Sequence, residues 1–188
     1  MKKFIFTFVL MLTALSASAQ YRVDRLVTAG RSALYYEDFV LSIKYFNLAI
    51  GAKPYLYEPW YYRSVAKFNL DDYMGAESDA SEAINLNPYI NDIYDLRAIC
   101  RIRQQRYDDA IADYNSAIRL EPRNRNYWFN RALCQMEAKN YDKAQLELDT
   151  VITKWKDYSN AYSLKAEVYL HQKDTVQAEK WLDQSLKL

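Results

Sequence analysis

The sequence predicts an all-α protein, in which five helix-turn-helix repeats stack as one α-α superhelix. Residues of the same kind recur at intervals of 34 along the chain, and apolar residues inside each interval recur at helical steps of three and four. The 188 residues include only three glycines and four prolines, which argues against a turn-rich all-β fold. Aromatic residues make up 15% of the chain, which argues against a disordered protein.

The chain begins with the pattern of a secretory signal peptide, which we assign to residues 1–19. Lys2 and Lys3 supply the positive start, residues 4–15 are apolar, and residues 17–19 have the small-x-small cleavage pattern. This apolar run is too short for a spanning helix. We therefore expect an exported protein of the bacterial cell envelope, periplasmic or secreted, with no stable membrane insertion after cleavage. An uncleaved N-terminal anchor is the alternative.

Residues 20–188 are predicted to form a single domain, because five such intervals fill this length almost completely. Three of the four prolines, Pro54, Pro88 and Pro122, are separated by the same interval. Three more columns have this spacing, one of large and two of small residues: Leu26, Trp60, Tyr94, Trp128 and Tyr162; Gly30, Ser64, Ala98, Ala132 and Ala166; Ser42, Ala76, Ala110, Ala144 and Ala178. The repeats therefore span residues 23–56, 57–90, 91–124, 125–158 and 159–188.

The third repeat shows how each repeat divides into two helices. Tyr94 and Ala98 share one side of the first helix, and an apolar series beginning at Tyr107 forms one side of the second helix. Residues 104–106 between them predict a short turn. Pro122 lacks a backbone N–H and disfavours helical geometry at the residue before it, so it ends the second helix.

The repeated residues carry a family resemblance. The runs Trp60, Ser64, Tyr73, Ala76, Ala83, Pro88 and Tyr94, Ala98, Tyr107, Ala110, Tyr114, Ala117, Pro122 resemble the tetratricopeptide repeat (TPR). The resemblance covers residues 23–188, with departures at Ala33, Ser42 and Lys156. It implies a TPR solenoid, a right-handed superhelix whose concave groove is lined by the first helix of each repeat. It also implies that ligands bind along this groove.

The groove positions that the resemblance implies are largely apolar and aromatic. We single out ten as partner-binding residues: Leu34, Tyr35, Tyr61, Tyr62, Phe68, Ile102, Arg103, Phe129, Asn130 and Met136. Such a surface suits an extended peptide or an amphipathic helix of a protein partner. The predicted function is therefore a non-enzymatic scaffold or adaptor for protein–protein interaction. The alternative is a glycan-binding protein that uses the groove tyrosines.

One TPR subclass binds the C-terminal carboxylate of chaperones through a fixed set of Lys, Asn and Arg residues. The matching positions here hold Val27, Arg31, Tyr62, Asp92 and Leu96. The set is absent, so a receptor for chaperone tails is disfavoured.

Two columns of charged residues are predicted to pair inside the stack. The first helices carry basic residues in a largely buried position, at Arg63, Arg97, Arg131 and Lys165. The second helices carry acidic residues at Asp79, Asp113 and Glu147. Because buried charge is tolerated when it is paired, we expect a ladder of ion pairs. Solvated, unpaired side chains are the alternative.

The charge balance and the reactive residues exclude several functions. The chain has 25 basic and 24 acidic residues, and signal cleavage removes two lysines, so it lacks the basic excess of a nucleic-acid binder. His171 is the single histidine, so we expect no metal site, no serine triad and no catalytic residue. Cys100 and Cys134 are expected to be buried thiols rather than a disulfide. No cofactor is expected.

The last helix offers apolar residues at Trp181, Leu182, Leu186 and Leu188, where a stack of this kind usually carries a polar capping helix. We expect Leu182 to pack inward. Self-association through this end of the stack is the alternative.

Overall fold

The structure is a computed structural model that describes residues 22–188, and the predicted signal peptide lies outside the described residues. Within this range the chain forms ten α-helices and no β-strand. The helices are α1 (22–35), α2 (Phe39–Ala52), α3 (Tyr57–Asn69), α4 (Tyr73–Leu86), α5 (Asn91–Arg103), α6 (Tyr107–Leu120), α7 (Arg125–Glu137), α8 (Tyr141–Lys154), α9 (Ser159–His171) and α10 (Thr175–Ser185). They form helix-turn-helix pairs, so the predicted fold class is confirmed.

The contacts divide the chain into two compact units, which separate between Pro88 and Tyr89. In the first unit, α2 packs on α3 and α3 packs on α4. In the second unit, each helix from α5 to α10 packs on the next one, and α7 also contacts α9. That residues 20–188 act as a single domain stays a prediction.

The two columns of small residues meet inside each helix pair of the first unit. The Ser42 hydroxyl donates to the Gly30 carbonyl at 3.0 Å, and the Ser64 hydroxyl donates to the Ala76 carbonyl at 2.7 Å. A Cβ atom on Gly30 would lie 2.6 Å from the Phe46 ring. Small residues are therefore needed because the helix backbones approach each other closely at these positions.

The turn inside each repeat contains one non-glycine residue with left-handed backbone geometry. The φ angle lies between 59° and 65° at five residues that recur at the repeat interval: Glu37, Asp71, Gln105, Lys139 and Lys173. In the second repeat, the Asp71 N–H donates to the Phe68 carbonyl and the Asp72 N–H donates to the Lys67 carbonyl, both at 3.0 Å. This Schellman arrangement satisfies carbonyls that a helix end leaves open, and it recurs in all five turns.

Residues of the large column donate hydrogen bonds to backbone carbonyls in the turn between repeats. Trp60 Nε1 donates to the Pro54 carbonyl at 2.9 Å, and Trp128 Nε1 donates to the Pro122 carbonyl at 3.1 Å. The Tyr162 hydroxyl makes the same contact, at 3.0 Å, with the carbonyl of Lys156. Lys156 can stand in the proline column because the contact uses its backbone oxygen.

The largest core of the second unit lies between α7, α8 and α9. Its buried residues are Ala132, Met136, Ala144, Leu148, Val151, Ala161, Leu164 and Val168. At α10 the burial is lower, and Leu182 is 49% exposed. The expectation that Leu182 packs inward was therefore wrong, because no further helix of the described residues packs over α9 and α10.

Candidate partner-binding surfaces

The first unit has an aromatic surface, which is formed by two tyrosines of α3 and bordered by an arginine of α1. The Tyr61 and Tyr62 rings lie 5.1 Å apart between centroids, and both side chains are half-buried. The Tyr62 ring is stacked on the buried Phe46 at 5.8 Å, and the Arg31 guanidinium lies 5.0 Å from its centre. Phe46 and Arg31 thus hold Tyr62 in place beside Tyr61, which forms a fixed surface with a positive charge at one edge.

The remaining predicted partner-binding residues of the first unit lie near the ends of their helices. Leu34 is half-buried, and Tyr35 is 81% exposed with its ring edge-to-face against Tyr36 at 5.2 Å. Phe68 is half-buried and its ring lies 5.5 Å from that of Tyr73, so it supports the turn of its own repeat. Of these three residues, Tyr35 is the most accessible to a partner.

The predicted residues of the second unit differ in their accessibility. Arg103 is exposed, and Asn130 is half-buried. Ile102 packs against the core formed by α5, α6 and α7. The Phe129 ring is half-buried and lies 5.4 Å from Tyr158 in an edge-to-face contact. Arg103, Phe129 and Asn130 are therefore accessible to a ligand, whereas Ile102 is partly taken up by internal packing.

Met136 cannot contact a partner in this conformation. Its side chain is 3% exposed and belongs to the core between α7, α8 and α9. Its position on the first helix suggested the groove, but α9 contributes Leu164 and Val168 to the core that encloses it. The assignment of Met136 as a partner-binding residue is therefore corrected to a core residue.

Two buried polar side chains, Asp95 of α5 and Tyr114 of α6, lie within the second unit. Asp95 Oδ1 and the Tyr114 hydroxyl are buried, and neither atom has a partner at full hydrogen-bond geometry within the described part of the chain. Burial raises the pKa of Asp95; the nearby Tyr114 hydroxyl opposes this effect and Asp92 adds to it. Burial also raises the pKa of Tyr114, with a further contribution from Asp95. The pair therefore carries a desolvation cost, since buried polar groups normally have partners.

In the first unit, the structure brings together the charged residues Arg63 and Asp79. Two guanidinium nitrogens of Arg63 reach the two carboxylate oxygens at 2.7 Å and 2.6 Å. Lys67, one turn further along α3, adds a second cation, whose Nζ lies 2.8 Å from Asp79 Oδ2. Arg63 Nη1 also donates to Asn47 Oδ1 at 2.6 Å. Asn47 belongs to the preceding repeat, so Arg63 joins two repeats as well as two helices.

The same pattern occurs in the second unit. Asp113 pairs with two arginines: its Oδ1 lies 2.6 Å from Arg97 Nη2, and its Oδ2 lies 2.8 Å from Arg101 Nη1. Arg131 Nε lies 2.6 Å from Glu147 Oε1, and Arg131 Nη1 donates to Asn115 of the preceding repeat at 2.6 Å. Burial raises the pKa of Glu147, while the Arg131 guanidinium opposes the shift. Hence Asp113 holds two cations of its own repeat, whereas Arg131 is held by both a carboxylate and the preceding repeat.

Lys165 differs from the other three basic residues. Its ammonium pairs with Asp149 of the preceding repeat and lies 3.8 Å from the centre of the Trp181 ring. Trp181 occupies the register at which the acidic column would continue. A cation–π contact therefore replaces the carboxylate in the last repeat.

The charged columns did not predict two features of these ion pairs. One is the aromatic ring that lies against an arginine, and the other is the second cation one helical turn away. The guanidinium of Arg63 lies 4.8 Å from the Trp60 ring centre, and that of Arg131 lies 5.1 Å from the Trp128 ring centre. The sequence signal was available, since an aromatic residue stands one helical turn before each of these arginines and recurs at the repeat interval.

The thiols and the histidine show no arrangement for catalysis or metal binding. Cys100 and Cys134 are buried and unbridged, and burial raises the pKa of Cys134 to about 12, with smaller contributions from Glu147 and Glu137. His171 is exposed and stacks on Tyr141 at 5.8 Å. Residues 22–188 contain no group of three or more His, Cys, Asp and Glu side chains that could hold a metal ion.

A helix that crosses a membrane needs about 20 predominantly apolar residues. Over the part of the chain that the structure describes, every helix is too short or too polar to cross a membrane.

Comparison with known proteins gives the same architecture. The tetratricopeptide repeat family model matches residues 96–148 and 140–188. No curated protein sequence matches the chain.

Solved structures resemble the chain in fold at low sequence identity. MamA, residues 41 to the end, from Desulfovibrio magneticus RS-1 has a TM-score of 0.82 at 13% identity, and the match covers 88% of this chain and 94% of that one. YrrB, a TPR protein with an unusual peptide-binding site, has a TM-score of 0.77 at 12% identity, covering 86% and 84%. The first TPR of Spaghetti (RPAP3) bound to the HSP90 peptide SRMEEVD has a TM-score of 0.61 at 24% identity, covering 62% and 93%.

These likenesses show the fold alone, and they agree with the family model and with the regular recurrence of the helix pairs. The chain therefore belongs to the tetratricopeptide-repeat proteins.

Proposed function

We propose that this protein is a non-enzymatic scaffold or adaptor that binds a peptide or a helix of a protein partner through the inner positions of its first helices. The observation that carries the proposal is the aromatic surface of the first unit. Tyr61 and Tyr62 are half-buried side by side, and Arg31 covers one ring. Rigid aromatic residues with one charged neighbour are typical anchors for peptide side chains.

The TPR fold and two of its structural neighbours support this class of function. YrrB is described by its peptide-binding site, and the RPAP3 domain holds an HSP90 peptide. The partner of this chain differs from an HSP90 tail, because the positions that would clamp a terminal carboxylate include Tyr62 and Asp92. A carboxylate at the position of Tyr62 would meet an aromatic ring, and one at the position of Asp92 would meet a second negative charge. An internal segment of a partner, with apolar or aromatic anchors, fits better.

The location that we propose is the bacterial cell envelope, after export. The support is the N-terminal pattern of two lysines, an apolar run and a small-x-small site. Cell fractionation followed by the intact mass of the purified protein tests it, and a mature chain beginning at Gln20 is expected. A cytosolic chain that retains Met1 would refute export.

Substitution of two aromatic residues tests the site of binding. Tyr61→Ala with Phe129→Ala should abolish recovery of the partner from native envelopes, with helicity unchanged by circular dichroism. The matched control is Tyr55→Ala with Tyr89→Ala, which removes two aromatic residues that are 63% and 78% exposed in turns between repeats. Retained binding in the first variant, or equal loss in both, would contradict a site on the first helices.

A second candidate function is glycan binding, and Tyr35 and Tyr36 favour it. These adjacent rings are 81% and 76% exposed and stand at 81° to one another. Exposed aromatic faces also suit sugar rings. A glycan array separates the two functions, because a glycan-binding protein gives hits that Tyr35→Ala removes, whereas a protein adaptor gives none.

A further inference from the structure

A second surface, distinct from the aromatic residues of the first helices, lies between α9 and α10. It surrounds an open cavity of about 600 Å³. We call it the terminal seat and define it by six of its lining residues: Ala166, Leu170, Ala178, Leu182, Glu167 and Glu179. Leu170 and Leu182 are 56% and 49% exposed. An apolar strip of this kind, with charged residues beside it, is typical of an interaction site.

The apolar residues of the terminal seat repeat a surface that is covered by a helix elsewhere in the same unit. Their counterparts, one repeat earlier in the chain, are Ala132, Met136, Ala144 and Leu148. These counterparts are at most 3% exposed. They are enclosed by Ala161, Leu164 and Val168 of α9, which form one core cluster with them. By this register, the terminal seat has the shape of a surface that receives one more helix.

Charge distinguishes the terminal seat from the covered surface. Glu167 stands at the register of Leu133, and Glu179 stands at the register of Gln145. Glu167 and Glu179 of the terminal seat are exposed, as is Asp183, which follows Leu182 on α10.

The covered surface shows where an incoming helix would place its own polar residues. On that surface Asp149 pairs with Lys165 of α9, and the Gln145 side-chain amide donates to Gln172 at 2.6 Å. Asp183 occupies the register of Asp149. A helix in the terminal seat would therefore bring one residue to Asp183 and another to Glu179, and both acidic groups favour a cation.

A second copy of this chain does not match the terminal seat. Two terminal seats facing each other would oppose their glutamates. In a head-to-tail arrangement, α1 of the second copy would present Arg25, Thr28 and Ser32 at the registers of Ala161, Leu164 and Val168. These side chains are exposed and polar, and they would not cover Leu170 and Leu182.

We propose that the terminal seat binds an amphipathic helix of another protein, with a stripe of small and aliphatic residues flanked by Lys or Arg. The stripe covers Leu170 and Leu182, and the cations pair with Glu179 and Asp183. This contact uses none of the residues of the aromatic surface formed by Tyr61, Tyr62 and Arg31.

The test uses a stapled helical peptide with the sequence of residues 159–172, in which the residue corresponding to Gln172 is Lys. This probe carries the small and aliphatic stripe of α9 and two cations, and the staple is needed because so short a helix is marginal in water. The control peptide has Glu at the positions of both cations. Fluorescence anisotropy with the full chain should show at least tenfold tighter binding of the cationic peptide, and weaker binding at high salt.

Two variants of α10 test whether the cationic peptide binds in the terminal seat. Leu182→Lys should weaken binding of the cationic peptide at least tenfold. Val176→Lys is the matched control, because Val176 is 75% exposed on the same helix and outside the cavity, and it should change the affinity less than twofold. Circular dichroism should be the same for both variants.

Several results would overturn the proposal. They are no binding of the cationic peptide, equal binding of the acidic peptide, or an unchanged affinity in Leu182→Lys. A dimer in sedimentation that Leu182→Lys dissociates would assign the surface to a second copy. Binding only after removal of residues 1–19 would assign it to that segment of the chain.

Discussion

Arg97 Nη2 lies 2.6 Å from Asp113 Oδ1 on the adjacent helix of the same repeat, and the Asp113 side chain is 3% exposed. Arg101 approaches the other carboxylate oxygen at 2.8 Å. One buried carboxylate therefore pairs with two guanidinium groups that are themselves largely buried. This arrangement makes the acidic column a structural requirement, because each cation would otherwise be left in a poorly solvated position.

Replacing Asp113 with alanine should destabilise the protein strongly. We expect a loss of about 3–5 kcal/mol, since two partly buried cations lose their partner. Asp109→Ala is the matched control, because Asp109 pairs with Arg106 at the surface, where both side chains are about half exposed, and an exposed pair contributes only about 0–1 kcal/mol. Urea unfolding followed by circular dichroism measures both variants. Equal midpoints would show that the buried pairs do not stabilise the fold.

Replacing Asp95 with asparagine should stabilise the protein at neutral pH. Burial raises the pKa of Asp95 above its ordinary value of 3.8, so above the folded-state pKa the native protein carries an unfavourable buried charge. As the pH falls through the folded-state pKa towards 3.8, the native carboxyl binds a proton and this cost is relieved. The advantage of Asp95→Asn should therefore be present at pH 7 and disappear near pH 3.8.

Thermal unfolding at several pH values, as the difference between variant and parent, measures this effect. Asp157→Asn serves as the control, because Asp157 is exposed in a turn. A stability advantage of Asp95→Asn that grows as the pH falls would contradict the raised pKa.

Glycine in the turn of the fourth repeat should stabilise the protein. Lys139 has a φ angle of 62°, and a side chain in this left-handed region costs about 1–2 kcal/mol. Lys139→Gly removes that cost but loosens the unfolded chain, so we expect a net gain of about 0.5–1 kcal/mol. The neighbouring Ala138 has a φ angle of −74°, and Ala138→Gly should instead destabilise the protein by about 0.5–1 kcal/mol. Chemical denaturation of the two variants should give shifts of opposite sign, and shifts of the same sign would argue against strain in the turn.

Alanine in place of Gly30 should destabilise the first unit. The new methyl group would lie 2.6 Å from the Phe46 ring, and overpacking of this kind costs about 1–3 kcal/mol. The control is Gly51→Ala, because a Cβ atom there has no neighbour within 4 Å, and alanine favours the helix by about 0.8–1 kcal/mol. Adding Phe46→Leu to the Gly30→Ala variant should recover part of the loss, as differential scanning calorimetry would show. No recovery would mean that the close approach of α1 and α2 has another cause.

The repeated columns predict the fold well because each column reports a packing requirement that the same neighbours impose in every repeat. Small residues such as Ser64 mark close backbone contacts, and large ones such as Trp60 mark the turn between repeats. The left-handed turn positions were not predictable from residue type. They hold Glu37, Asp71, Gln105, Lys139 and Lys173, none of which is the glycine that usually signals this geometry.

The candidate sites were predictable only in part, because a position within a repeat does not show what covers it. Met136 and Leu170 share one register, yet Met136 is 3% exposed and Leu170 is 56% exposed. The difference depends on α9, which encloses one and not the other. Likewise the column of cations indicated that Lys165 needs a partner, but the change from a carboxylate to Trp181 at the paired register hid which group it would contact.

Site-specific photo-crosslinking in living cells determines whether a partner protein lies against the inner positions of the first helices, as we claim. A benzophenone amino acid is placed at Tyr61 or, as a control, at Leu48, which is 60% exposed on the second helix of its repeat. We expect a covalent adduct with one envelope protein from position 61 and none from position 48. An adduct from position 48 alone would contradict the claim.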